Sequence, residues 1–350
     1  MGEIATVSGV DSGNITVWMQ ERVASIVPPL DFEPIAGGLS NLSYQVTDRN
    51  GSRWVLRRPP LGHVLATAHD MSREFRIIDA LTPTSVPVPP LVGLCTDDSV
   101  NGAPFYVMEF VDGVVARNVV AAESLNPEAR QRAGESLIEV LAAIHSVDVD
   151  ACGLGDLGRK EAYVERQISR WTRQWEATRD VEVPVMEELS ARLAAAIPEQ
   201  GPATIVHGDY RLDNCILGPD GSIAAVLDWE LCTLGNPLAD VGLMLVYWVE
   251  AGDALQSGLP DGTTLPGFAT RQQLLTRYAE LTGRNVDNIG YFVALGYWKL
   301  ACILQGVLVR YRAGAMGTGN PSGDPFTDQV AALGRAGLAA LDGELGSSHG

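Results

Sequence analysis

Hydrophobic spacing along the chain begins strand-rich and becomes helical. Between Asn14 and Val27, the positions Val17, Val23, Ile26 and Val27 predict a short helix with Asn14 as its cap, stopped by Pro28-Pro29. Strands follow over Phe32 to Ile35, Leu42 to Thr47 and Arg53 to Arg57, with turn chemistry at Asp48-Arg49-Asn50-Gly51-Ser52. Met71, Phe75, Ile78 and Leu81 restore helical spacing before two more strands, Leu91 to Cys95 and Phe105 to Val111. Beyond Gly113 the helical period dominates. Ala133, Leu137, Val140, Leu141 and Ile144 line one face of a helix from Arg130 to His145. Further helices are predicted at 160–179, 184–197, Leu243 to Glu250, Arg271 to Leu281 and Gly290 to Arg312, with no internal repeat. Trp171 and Trp175, one turn apart, are expected to be core. Gly314 to Asp324 reads as a mobile loop and the last eight residues as a frayed tail.

The chemistry lies in His207-Gly208-Asp209-Tyr210-Arg211-Leu212-Asp213-Asn214. A short apolar run, Cys215 to Leu217, leads through the turn Gly218-Pro219-Asp220-Gly221-Ser222 to a second run, Ile223 to Leu227, ending at Asp228. Asp209 and Asn214 have the spacing of a kinase catalytic loop, where the Asp receives the substrate hydroxyl's proton and the Asn helps hold magnesium. Asp228 supplies a second metal-binding carboxylate, and a hairpin would fold it back beside Asn214. Mg2+ takes oxygen ligands and is satisfied by one or two carboxylates, an amide oxygen, ATP phosphates and water, so no His or Cys cage is needed.

On HGDYRLDN and LDWE the chain resembles the aminoglycoside phosphotransferase-like kinases. The resemblance implies an α+β, two-lobed protein-kinase-like fold: a small antiparallel β-sheet lobe with one helix, and a larger, mainly helical lobe. It divides the chain into an N-terminal tail and helix (1–30), an ATP-binding N-lobe (31–110) and a catalytic and acceptor-binding C-lobe (111–350) with a helical insert at 155–200. It gives Asp209 the catalytic role, Asn214 and Asp228 the metal, and His207 a supporting role in orienting the loop. Asp240, in Gly235-Asn236-Pro237-Leu238-Ala239-Asp240-Val241-Gly242, is then the residue that braces it. For the nucleotide, Gly38 and Ser40 in Gly37-Gly38-Leu39-Ser40-Asn41 allow close approach to phosphates, and Asn41 is a phosphate or substrate contact. Arg57 stands where protein kinases carry a phosphate-pairing Lys, with Glu74 its expected partner and Arg58 free to face solvent. Glu109 and Phe110 fall in the linker whose backbone meets adenine. Tyr297-Trp298-Lys299-Leu300-Ala301-Cys302-Ile303-Leu304-Gln305-Gly306 resembles the subgroup related to kinase-like domains fused to acyl-CoA dehydrogenases. That shifts the expected acceptor from aminoglycoside-like toward hydroxyacyl-CoA-like.

Composition narrows the function further. A formal charge of −18 over 350 residues argues against nucleic-acid or anionic-membrane partners. Five cysteines without C-x-x-C spacing fit a reducing cytoplasm, and no run reaching roughly 18 apolar residues is expected. The sequence therefore predicts a cytoplasmic small-molecule kinase, monomeric or weakly dimeric, that uses ATP and Mg2+ on a small-molecule hydroxyl substrate. A catalytically silent nucleotide-binding module is the alternative, and the sequence leaves both the acceptor and ATP against GTP open.

Overall fold

The alternation in the first part of the chain builds a five-stranded antiparallel sheet in the computed structural model of the protein, which describes residues 7–35, 41–61, 70–253, 259–312 and 325–344. The chain enters through α1 (Ser12–Gln20), β1 (Asp31–Pro34), β2 (Leu42–Thr47) and β3 (Arg53–Arg58). It continues through α2 (Met71–Leu81), β4 (Leu91–Cys95), the single turn α3 (Asp98–Asn101) and β5 (Phe105–Glu109). Strand order is β1-β2-β3-β5-β4, with Tyr44 opposite Leu56 and Leu56 opposite Val107. Alternate residues point to opposite faces. Phe32, Tyr44, Val46, Trp54, Leu56, Phe105 and Val107 therefore share one face and form a single apolar cluster with Ile15, Trp18 and Met19 of α1. Arg57 and Tyr106 take the other face, where α2 brings Glu74 to Arg57 and Phe75 to the edge of Tyr106, 6.2 Å away.

Two expectations for this part are corrected. Asp11, not Asn14, caps α1: its carboxylate accepts the Asn14 backbone N–H at 3.0 Å. The helix then ends at Gln20 and buries Ile15, Trp18 and Met19, leaving Val17 59% exposed, because the larger Trp18 and Met19 win the inward face. Arg58 does not face solvent. Its guanidinium is buried and donates to the carbonyls of Gly9 and Asn101.

The chain divides into two units, residues 1–112 with 224–230, and residues 113–223 with 231–350. The second opens with α4 (Val119–Ala122), α5 (Pro127–Ser146), α6 (Tyr163–Thr178) and α7 (Pro184–Ala195). Asn126 caps α5 ahead of Pro127, a residue suited to a first helical turn. Short strands follow at β6 (Thr204–Val206), β7 (Cys215–Leu217) and, after β8 (Ile223–Val226), which from Ala224 on belongs to the first unit, β9 (Thr233–Gly235); β6 and β9 pair antiparallel with Val206 opposite Thr233. The last helices are α8 (Leu238–Tyr247), α9 (Arg271–Thr282), α10 (Ile289–Arg312) and α11 (Pro325–Leu341). The unit is organised around α10, against which α6, α7, α8 and α11 pack. Trp175 meets Trp298 of α10 at 5.9 Å between ring centroids and Trp171 is also buried, so both tryptophans are core.

Contrary to the sequence expectation, Ile289–Arg310 is long and apolar enough to cross a membrane by length and composition. Its burial against four helices accounts for that composition without a bilayer. The loop read at Gly314 to Asp324 lies outside the described residues, as does most of the tail.

Replacing Trp18 by Ala removes a buried ring that meets Phe105 edge-on at 5.0 Å. The expected cost is about 3–5 kcal/mol. Val17→Ala, on the exposed face, should leave the thermal midpoint nearly unchanged. Equal effects in thermal denaturation would reject this register of α1.

Candidate active site

Two constellations carry the predicted residues, one in each unit. In the second unit, β6 delivers the chain to His207 and the loop closes in a 3-10 turn, Leu212–Asn214. Asp240, in the first turn of α8 and 1% exposed, accepts the His207 backbone N–H at 2.6 Å and the Gly208 N–H at 2.9 Å. Behind it, His145 Nε2 lies 3.4 Å from Asp240 Oδ2 while Nδ1 meets the Tyr278 hydroxyl at 2.8 Å. Burial alone would raise the Asp240 carboxyl, but His145, His207 and the Gly208 N–H outweigh it and hold it below its ordinary value.

Gly208 turns the loop at φ +84°, and a Cβ there would meet the Leu231 carbonyl oxygen at 2.8 Å, so glycine is required. The buried His207 ring accepts the Asp209 N–H through Nδ1 at 3.3 Å and stands edge-on to Tyr210. Its contacts are those of a loop support.

The Asp209–Asn214 end of the loop is equally constrained. Asn214 Nδ2 donates to the Asp209 backbone oxygen at 2.8 Å and to Asp209 Oδ2 at 3.0 Å. With the amide nitrogen committed there, the amide oxygen is directed elsewhere, and it is the hard donor that magnesium prefers. Arg211 Nε lies 3.4 Å from Asp209 Oδ2, and Arg211 Nη1 reaches Asp213 at 3.0 Å. Burial pushes the Asp213 carboxyl up to about 6, with Asp209 adding to the shift and Arg211 and Arg117 opposing it.

In the first unit, Arg57 is the hub. Its Nε donates to Glu74 Oε2 at 3.1 Å and its Nη2 to Asp228 Oδ1 at 2.5 Å. Burial disfavours the Arg57 charge, yet Glu74, Tyr106, Asp228 and Glu230 together push its pKa up. Glu74, 2% exposed, is raised by burial, with Arg57 opposing. Asp228 sits at φ +65°, a conformation uncommon outside glycine and concentrated at functional sites. Asn41 Nδ2 donates to Glu230 Oε2 at 3.0 Å, and the Glu230 carboxylate also acts electrostatically on Arg57.

Along the linker, the Glu109 N–H donates to Pro90 O at 2.8 Å and the Phe110 N–H to Arg53 O at 3.2 Å. Gly38 and Ser40 lie outside the described residues. Sequence reasoning did not assign a role to Lys299, whose Nζ donates to the Gly208 carbonyl at 2.5 Å. The available signal was a single charge inside the long apolar stretch from Ile289 to Val309.

A five-stranded sheet carrying an Arg–Glu pair, joined to a helical unit holding an Asp–Asn loop, defines a protein-kinase-like phosphotransferase architecture. The comparisons agree, and the chain belongs to the phosphotransferase enzyme family, whose model matches residues 31–274. It is 37% identical over 313 residues to mouse acyl-CoA dehydrogenase family member 10, covering 87% of this chain and only 29% of that protein. A solved structure of a provisionally named aminoglycoside phosphotransferase from Ralstonia eutropha superposes with a TM-score of 0.79 at 32% identity, covering 95% of this chain and 98% of the other. The GDP complex of aminoglycoside 2'-phosphotransferase-IIIa shares the fold at a TM-score of 0.60 and 14% identity, over 96% and 99% of the two chains.

Asp240→Asn keeps the size but presents an amide N–H to one of the two backbone N–H groups. The expected loss is about 1–3 kcal/mol near neutral pH. A carboxyl whose folded pKa is depressed binds fewer protons folded than unfolded. Its stabilisation is therefore complete above the ordinary value of 3.8 and is lost as pH falls through the lower folded value. Denaturation midpoints measured from neutral pH into acid should converge for the two proteins, and a gap that persists in acid would refute this role.

Proposed function

We propose that the protein transfers the γ-phosphoryl group of ATP to the hydroxyl of a small molecule, with Asp209 as the catalytic carboxylate. The observation that carries this reading is the placement of Asp209 on a loop whose N–H groups are held by a buried carboxylate and whose side chain is shared between Asn214 and Arg211. A carboxylate is a weak base toward an alcohol, so Asp209 orients the hydroxyl and takes its proton late, after bonding to the phosphoryl group has begun. Fixed orientation of this kind supplies a large share of phosphoryl-transfer catalysis.

Asn214 and Asp228 are the metal ligands in this reading. Their donors are an amide oxygen and a carboxylate, a set suited to Mg2+, which when bound would neutralise charge on the nucleotide phosphates. Arg57 holds Asp228 and Glu74 in place and offers the cation for the phosphates. Asn41, with Gly38 and Ser40 beside it in sequence, is assigned to the phosphate cover, and the backbone at Glu109 and Phe110 to adenine. The acceptor is a hydroxyl compound of the hydroxyacyl-CoA-like or aminoglycoside-like kind, and the protein acts in the cytoplasm as a monomer or weak dimer.

Asp209→Asn should lower phosphoryl transfer by at least about a hundredfold while nucleotide affinity, measured by calorimetry, stays within a small factor. EDTA should stop turnover of the wild type. Undiminished turnover in the variant would remove Asp209 from its role. Tight magnesium-ATP binding with no transfer to any hydroxyl compound would favour a silent nucleotide-binding module.

A further inference from the structure

Cations gather beside the catalytic loop of the second unit. Lys299 Nζ and Arg170 Cζ lie 5.8 Å and 5.3 Å from the centroid of the same Trp171 ring. The Lys299 ammonium also donates to the Gly208 carbonyl at 2.5 Å, one peptide from Asp209. Arg211 reaches the Asp209 carboxylate at 3.4 Å and lies 4.7 Å over the Tyr247 ring. One turn before Arg170 on α6, Arg166 donates from Nη2 to Arg159 O at 2.6 Å, while its Nη1 is buried with no hydrogen-bond partner among the described residues.

This clustering is uphill. Burial lowers the Lys299 pKa, and Arg170 and Arg211 lower it further, against the pull of Asp209 and Asp240. Neither carboxylate is available to compensate fully. Asp240 already serves two backbone N–H groups and His145, and Asp209 is shared between Arg211 and Asn214. Acids outnumber Lys and Arg by 43 to 25 in this chain, so a shortage of carboxylates does not explain the cluster. Like charges held together beside a reacting group are stabilised when an anion joins them.

We propose that Lys299 and Arg170 form an anion-binding subsite beside Asp209, which receives a carboxylate or phosphate carried by the phosphoryl acceptor itself. The inference rests on the kinase reading and deepens it by fixing the acceptor's charge. An ammonium has three donors, of which Lys299 places one on Gly208, and the exposed Arg170 adds a planar fork suited to carboxylate or phosphate. Hydroxy acids and phosphate-bearing hydroxyacyl thioesters fit this subsite. Amino sugars, which would set ammonium groups against Lys299 and Arg170, do not.

The test uses two matched pairs of acceptors with the wild type and Arg170→Ser. The pairs are 3-hydroxybutyrate with its amide, and 3-hydroxybutyryl-CoA with the N-acetylcysteamine thioester, which lacks phosphates. The anionic member of at least one pair should show a KM about tenfold below that of its neutral partner. Arg170→Ser should remove that advantage without changing the KM for ATP, and the pair that responds identifies the anion as carboxylate or phosphate. Equal KM values within both pairs, or preferred turnover of an aminoglycoside, would overturn the subsite. So would a fall in kcat shared equally by charged and neutral acceptors, since the cations would then serve the transferring phosphoryl group.

A second measurement does not depend on turnover. Inorganic sulfate titrated calorimetrically into the ADP-loaded protein should bind at one site, about tenfold more weakly in Arg170→Ser and in Lys299→Met. Absence of sulfate binding to the wild type rejects the subsite. Sulfate binding that both variants weaken, with no transfer to any acceptor, upholds the subsite and rejects the kinase reading.

Discussion

The interaction on which the His207–Asn214 loop depends is the buried Asp240 carboxylate accepting the N–H groups of His207 and Gly208. Burying a charge is costly unless its lone pairs are satisfied, and here two backbone donors and His145 satisfy them. His145 belongs to α5, its partner Tyr278 to α9 and Asp240 to α8, so one carboxylate ties three helices to the segment that presents Asp209. Lys299 adds a donor to the Gly208 carbonyl. The peptide groups around Asp209 are thus held by an anion on their N–H side and by a cation on a C=O. That arrangement fixes the orientation of the segment carrying Asp209 within the unit.

The first unit uses the same physics with the signs exchanged. Arg57 is a half-buried cation held by anions, and its planar fork reaches Glu74 through Nε and Asp228 through Nη2 at once. A lysine ammonium is a point charge on a flexible stem and would hold two carboxylates with less geometric definition. An arginine at this position thus engages both carboxylates at defined atoms, Glu74 from Nε and Asp228 from Nη2.

Much of this was legible in the sequence because it depended on local pattern. Strands β2, β4 and β7 begin and end where the apolar runs do, and the Asp209–Asn214 spacing required only the loop itself. Failures occurred where distant residues decide. The register of α1 is set by the sheet face that Trp18 and Met19 enter, which no local count of valines reveals. Helix α11 was missed because Gly334 and Gly337 depress helix propensity, although Val330, Leu333 and Ala340 keep helical spacing. Those glycines allow close approach to α7, where a Cβ on Gly337 would meet Leu189 Cδ2 at 2.6 Å. Arg58 is decided by distant residues in the same way, since its acceptors are the carbonyls of Gly9 and Asn101.

Helix α10 shows how the two kinds of information combine. Its composition alone fits a bilayer, and its burial against four helices supplies a different cause for the same residues. Lys299 is the one charge between Ile289 and Val309, and an apolar face would be more stable without it. The hydrogen bond to Gly208 offsets part of that cost, but a neutral donor could make the same bond without setting a charge near Arg170 and Arg211. The charge at this position therefore needs a cause beyond loop architecture, and the neighbouring carboxylates are already engaged. An anion brought by the substrate supplies that cause with no additional protein group.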